Sequence, residues 1–330
     1  MSQLHQKPLK LGLVGLGRIA VAQTVPACLQ IPELDLVAVC RRTAGALHRL
    51  ADQYHIAHRY TDYRELLAHP GLDAVLVCTG PVAGPPIIHD ALRQGLHVFT
   101  EKPLALDTAT ALELVQAAHA AGRVAAVGYM KLWYPAYTRV RCLLATQALG
   151  APAALHARFW YQRGSRPDSA FHNDTHVYAL VPALLGPVAE VGARRVDNAQ
   201  GHATAVTLAC ESGMVATLSL SSLADRAHPS HESLDLITER GHVLSTTNGR
   251  ELYHYNPQVP DTATYFGQTV SVHWRESEGF VAELRAFAQA ILQQTPAPVP
   301  FELGLHALRL AEAVEQSLHK GQWIPVGRDL

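Results

Sequence analysis

LKLGLVGLGRIA, residues 9–20, decides the fold. Leu9–Val14 is an aliphatic run of strand type ending at Gly15, and a helical stretch follows to about Gln30. Between them lies Gly15-x-Gly17-x-x-Ala20. The first glycine permits a tight turn, the second lets backbone approach a diphosphate, and the alanine lets helix pack closely on strand. The first turn of such a helix offers free N–H groups and partial positive charge to phosphates, which brings Arg18 and Ile19 into the candidate cofactor site. A glycine triplet alone also suits an ordinary strand-to-helix turn, so the rest of the chain must carry the reading.

Strand and helix signals then alternate. Asp35–Cys40 (DLVAVC), Arg59–Tyr60, Asp73–Cys78 (DAVLVC), Leu96–Thr100 (LHVFT) and Val124–Tyr129 read as strands. Asp62 and Asp107 are N-cap candidates, and the helix after Asp107 stops at Gly122. Uninterrupted aliphatic strands between helices specify a parallel sheet covered on both faces. Beyond Gly150 the pattern changes to alternation: AALHARFWYQ (153–162), HATAVTLACE (202–211) and MVATLSLSSL (214–223), the last two joined at Ser212-Gly213. Glu239-Arg240-Gly241 is a second tight turn, between Asp235–Thr238 and His242–Ser245. Helical patterns return at Ser277–Gln293 and Leu303–His319. The expected fold class is α/β: residues 1–127 form a doubly wound Rossmann domain, and residues 128–330 form an α+β domain with a mostly antiparallel sheet for substrate binding and oligomerisation.

Composition agrees with this and excludes other classes. A chain of 330 residues suits two domains, and 48% hydrophobic with 17% charged residues is an ordinary globular balance. A net charge of −1 encodes no bulk attraction to nucleic acid or an anionic membrane, so neither is an expected partner. No apolar run reaches membrane-spanning length. Five scattered cysteines without a CxxC pair suit a reducing cytoplasm.

The end of the second strand bears on the cofactor. An acidic residue there would accept hydrogen bonds from a ribose 2′-hydroxyl, but the sequence is Val39-Cys40-Arg41-Arg42-Thr43. A guanidinium cannot accept those bonds and can hold a 2′-phosphate in bidentate fashion. Arg41 and Arg42 therefore favour NADP(H) over NAD(H), against the alternative that both are solvated loop residues.

At Thr100-Glu101-Lys102-Pro103 a longer pattern emerges. Together with GLVGLGRIA, YTDYRELLAHPGLDAVLVCT, ALRQGLHVFTEKPLA and VGYMKLWYP, it resembles the Gfo/Idh/MocA oxidoreductase family, that of glucose–fructose oxidoreductase and inositol dehydrogenase, over nearly the full length. The resemblance implies that Lys102 belongs to the active site and that Pro103 follows a cis peptide; Glu101, beside Lys102, is a candidate to orient its ammonium or to contact a ribose. The family's second signature is D-x-x-x-H at a helix start. Here the segment is His172-Asn173-Asp174-Thr175-His176, so His176 takes the acid/base position and His172 stands where the family has aspartate, with Asp174 two residues further on.

The stretch also bears two other readings. H-x-x-x-H is a metal-pair spacing, but the glutamate of a zincin helix is replaced by Asn173 and no third ligand is evident, so no metal is expected. The other reading makes both histidines partly buried structural residues at a helix start. The family's T-P-N-x-x-H-like loop is altered to Thr79-Gly80-Pro81-Val82-Ala83-Gly84, which leaves backbone contacts to cofactor from Thr79 and Gly80. Tyr129, Lys131, Arg158, Tyr161 and Arg163 are candidate substrate contacts, as is Asp174.

The leading functional expectation is an NAD(P)-dependent dehydrogenase or reductase of a sugar, polyol or related small hydroxy compound, acting as a homodimer or homotetramer. Alternatives are an NAD-dependent hydrolase or lyase that oxidises its substrate transiently, and a non-catalytic dinucleotide-sensing regulator.

Overall fold

The computed structural model describes residues 7–162, 174–224, 232–259, 262–267 and 279–327. They form two compact units: residues 1–130 with 279–305, and residues 131–278 with 306–330.

The first unit is built on six parallel strands: β1 (Leu9–Val14), β2 (Leu34–Cys40), β3 (His58–Tyr60), β4 (Ala74–Val77), β5 (His97–Glu101) and β6 (Ala125–Gly128). Their spatial order is β3-β2-β1-β4-β5-β6, so the order reverses between β1 and β4. Leu11, Leu13, Val39, Val75, Leu76 and Val98 are all buried, as expected of strands covered on both faces. The covering helices include α2 (Ala44–Gln53), α3 (Tyr63–Leu67), α4 (Gly84–Arg93) and α5 (Thr108–Ala121). Asp62 and Asp107 cap α3 and α5, accepting from the amides of Arg64 and Thr110 at 2.8 Å each.

The first helix departs from the expected continuous α-helix. Arg18 and Ile19 start the helix as α, Ala20–Thr24 is a π-helical turn closed by Val25 N–H donating to the Ala20 carbonyl, and Val25–Cys28, α1, is α-helical again. Pro26 has no N–H to give back to Ala22, so the ordinary ladder is already broken there.

After β6 come a 3₁₀ turn, Met130–Trp133, and α6 (Pro135–Ala145). The second unit's sheet has nine strands: β7 (Pro152–Gln162), β8 (Val188–Asn198), β9 (Gly201–Cys210), β10 (Val215–Ala224), β11 (Glu232–Thr238), β12 (Val243–Thr247), β13 (Glu251–Tyr255), β14 (Ala263–Gly267) and β15 (Ile324–Pro325). It runs β14-β13-β12-β11-β7-β10-β9-β8-β15, with one parallel pair, β7 with β10, in an otherwise antiparallel sheet. Helix α7 (Thr175–Leu185) precedes β8, and α8 (Phe280–Gln293) and α9 (Phe301–Lys320) follow β14.

The sequence places Ser277–Gln293 with the second domain. In the structure Phe280, Val281, Leu284, Phe287 and Ala288 of α8 share one core with β1 and β2, and Phe99 meets Phe287 edge-on with ring centroids 5.7 Å apart. The first unit thus recruits a segment from far along the chain, whose apolar residues complete a core already shared by β1, β2, the first helix and α2. The division between units then falls inside α9, at Leu305. No described helix is long and apolar enough to cross a membrane.

Candidate active site

In an open parallel sheet the ligand crevice lies beyond the carboxyl ends of the strands, where the order reverses. Here that is the ends of β1 and β4. Gly15 sits there with φ +98°, and a Cβ on it would lie 2.7 Å from the carbonyl carbon and oxygen of Cys78. Only glycine fits between the two strand ends. Gly17 differs: a Cβ there would meet nothing within 4 Å, and the same is true of Gly80. Open space over both residues is the cradle that a diphosphate needs against bare backbone. Arg18 and Ile19 are exposed at the entrance to the first helix. The Thr79 hydroxyl is buried and has no hydrogen-bond partner among the described residues, leaving an unused donor at the same edge. Arg41 is half-buried and donates from Nη1 to the Leu16 carbonyl at 2.8 Å, while Arg42 is exposed. These residues fit a dinucleotide.

Glu101 ends β5, and Lys102, half-buried, follows it into a cis Lys102–Pro103 peptide. Thr100 ties this end of β5 to β4 by donating to the Val77 carbonyl at 3.2 Å. Burial pushes the Glu101 carboxyl up to about 7, against the lowering effect of the Lys102 ammonium and its amide. The Cys28 thiol behind the site is pushed up to about 12 by burial, which suits a packing role.

In the second unit His176 is the second residue of α7 and is buried, 8% exposed. Asp174 occupies the N-cap position, with its carbonyl accepting from Val177 and Tyr178 at 2.9 and 3.0 Å, yet its side chain does not cap. The carboxyl turns inward instead, fully buried, and neither oxygen has a hydrogen-bond partner among the described residues. Burial pushes it up to about 7, with Arg195 and Lys131 pulling the other way and Glu315 adding to the rise. The same carboxyl lies near Tyr161 and Tyr178, whose phenols burial raises first and its charge raises further. Lys131 pairs with Glu232, which also accepts from the Tyr137 hydroxyl at 2.6 Å.

Lys131, Tyr161 and Asp174 therefore come together, joined by Tyr137, Tyr178 and Glu232. Arg158 does not join them. On β7, Leu155, Ala157 and Phe159 share the buried face with Tyr161, so the pleat turns Arg158 to the other face, where its guanidinium stacks on Trp160 at 4.6 Å. The shared-pocket expectation is corrected for Arg158 by that alternation. Tyr129 belongs to the first unit and is fully buried. His172 and Arg163 lie outside the described residues.

Sequence reading missed Tyr137, Glu232 and Glu283. Glu283 left a signal: it interrupts the apolar stripe Phe280, Leu284, Phe287 of α8. The partners of Tyr137 and Glu232 lie about a hundred residues apart, and no local pattern links them.

A dinucleotide-type unit joined to an α/β unit with a large mixed sheet defines the class. Residues 9–129 match the oxidoreductase family with NAD-binding Rossmann fold, GFO_IDH_MocA, and residues 158–326 match its C-terminal alpha/beta domain. The chain belongs to the Gfo/Idh/MocA oxidoreductase family. It is 25% identical to the uncharacterized oxidoreductase YrbE of Bacillus subtilis, covering 97% of each chain. It is 28% identical to an inositol 2-dehydrogenase/D-chiro-inositol 3-dehydrogenase of Lactiplantibacillus plantarum over 46% of this chain and 44% of that one. The scyllo-inositol dehydrogenase of Lactobacillus casei, solved with NAD(H) and scyllo-inositol, shares the fold with a TM-score of 0.81 at 19% identity, over 97% of this chain and 99% of that one.

Proposed function

We propose that this chain is a dehydrogenase or reductase of a small polyol, sugar or related hydroxy compound, with NADP(H) preferred to NAD(H). The observation that carries the reading is Lys102, placed at the carboxyl end of β5 on a sheet whose switch point is open over Gly17 and Gly80. The likeness to an inositol dehydrogenase supports the substrate class, and Arg41, held against the glycine turn, supports the preference for a 2′-phosphate.

The bound dinucleotide supplies the hydride acceptor or donor. Gly15, Gly17, Arg18, Ile19, Thr79 and Gly80 hold it by backbone and by the Thr79 hydroxyl, with Arg41 and Arg42 at its adenosine end. Glu101 orients the Lys102 ammonium. That ammonium binds the substrate oxygen and stabilises negative charge on it as the C–H bond breaks. His176 takes the hydroxyl proton in oxidation and returns it in reduction. Lys131, Tyr161 and Asp174 are the second unit's substrate-side groups. A homodimer or homotetramer would use the exposed strand residues Tyr255 and Tyr265, 44% and 52% exposed, which light scattering of Tyr265→Lys would test.

The direct test is absorbance of the reduced nicotinamide with a panel of polyols, sugars and sugar acids. Turnover is expected with at least one of them. Lys102→Met and His176→Gln should each lose about 10²–10⁴ in kcat while still binding cofactor. A Lys102→Met protein with undiminished turnover would remove the assignment.

A further inference from the structure

Glu283 is 3% exposed on the first turn of α8, held there by Phe280, Leu284 and Phe287 in the core and by its own amide donating to the Gly279 carbonyl at 3.0 Å. A carboxylate in such a place needs donors, and among the described residues Glu283 Oε2 has none. Glu101 Oε1, at the end of β5, is likewise buried without a partner. The other Glu101 oxygen passes over Gly128, so close that a Cβ on that glycine would lie 3.5 Å from it. Two neighbouring carboxyls, each with an orphaned oxygen, are both satisfied by a single proton between them, because the protonated member becomes a donor.

We propose that Glu283 is a positioning residue: a neutral carboxylic acid whose Oε2–H donates to Glu101 Oε1, keeping the carboxylate next to Lys102 ionised and fixed in direction. The inference rests on the proposed role of Lys102 only for its effect on turnover; the shared proton stands without it. The titratable groups facing the pair are Lys102, next in sequence to Glu101, and Cys78 at the end of β4, with Cys28 behind it. Among the described residues Lys102 is the cation that faces the pair, so it favours the charge on Glu101 and leaves the proton with Glu283. Burial raises Glu283 well above the ordinary carboxyl range, the charge on Glu101 raises it further, and burial holds the Cys78 thiol protonated. Arg285, on the same helix, is exposed.

The experiment is infrared difference spectroscopy of the cofactor-free protein at neutral pH, in an Asp174→Asn background so that this second carboxyl raised by burial makes no contribution. A protonated-carboxyl C=O band is expected, and Glu283→Gln should remove it. Absence of that band, or its survival in Glu283→Gln, overturns the proposal. The pH–rate profile adds a second readout. Glu283→Gln keeps an N–H donor in place and should leave the acid limb where it is, whereas Glu283→Leu removes the donor and should move the limb up by about one to two pH units. A purely structural role would lower activity at every pH with the limb unmoved in both variants. Should Glu283→Leu fail to fold, the band and the Gln profile decide. Should no substrate turn over while the band behaves as described, the dehydrogenase reading fails and the proton pair remains.

Discussion

Arg41 donates from Nη1 to the carbonyl oxygen of Leu16 at 2.8 Å, so the cation at the end of β2 is fastened to the glycine turn. A guanidinium has five N–H donors, and this bond takes one, leaving the rest of the fork for a phosphate. Arg41→Ala should weaken NADP(H) binding about 10- to 100-fold, the worth of a charge-assisted hydrogen bond, and weaken NAD(H) binding much less. Fluorescence titration with the two reduced cofactors measures this. Equal losses would mean that Arg41 serves the turn alone.

Gly15 and Gly17 are close in sequence and opposite in what they tolerate. At Gly15 a methyl group collides with backbone of Cys78 at φ +98°, so Gly15→Ala should destabilise the protein by about 2–3 kcal/mol and lower Tm by roughly 4–12 °C. At Gly17 the methyl enters open space, so Gly17→Ala should keep the native Tm and lose dinucleotide affinity. Thermal melts alongside cofactor titrations separate the two. A Gly17→Ala protein that binds cofactor normally would show that the diphosphate lies elsewhere.

The same contrast explains what the sequence could reveal. Strands β1, β2, β4, β5 and β6 were legible because burial on both faces writes continuous aliphatic runs, and the glycine turn because its spacing is local. The partners of β7 were not legible. Alternation tells which side chains face inward, not which strand lies alongside, so the parallel β7–β10 pair was hidden. Helix α8 read correctly as a helix, but its home in the first unit depends on Phe99 meeting Phe287 across 188 residues of chain. Of the candidate residues, Lys102 and His176 were each picked out by a family pattern. The inward turn of Asp174 was not, since an aspartate at a helix start ordinarily caps it.

Glu232 holds Lys131 and Tyr137 at once, with side chains of Lys131 and Glu232 only 12% and 10% exposed. Removing it strands a buried ammonium and a buried hydroxyl. Glu232→Ala should cost about 3–5 kcal/mol, and Tyr137→Phe, which deletes one hydrogen bond to a charged acceptor, about 1.5–3 kcal/mol. Urea unfolding of both single variants and the double variant checks this. Strictly additive losses would show that the three groups do not act as one network.

Asp174 makes stability fall as pH rises. Its carboxyl is pushed from an ordinary 3.8 up to about 7, chiefly by burial, with neither oxygen satisfied. Between those values the unfolded chain releases the proton and the folded chain keeps it. The native state then binds more protons, and the slope of unfolding free energy with pH is negative. The penalty is nearly absent below the unfolded value, grows through the interval, and is complete above about pH 7. Asp174→Asn removes the ionisation and leaves the other titrating groups common to both proteins. The stability of the variant relative to the parent should therefore rise by about 3 kcal/mol between roughly pH 4.5 and pH 8, at about 1.4 kcal/mol per pH unit across the interval. Urea titrations at four or five pH values give this difference directly. A difference independent of pH would mean that the buried carboxyl is ionised in the folded protein, with Arg195 and Lys131 outweighing its burial.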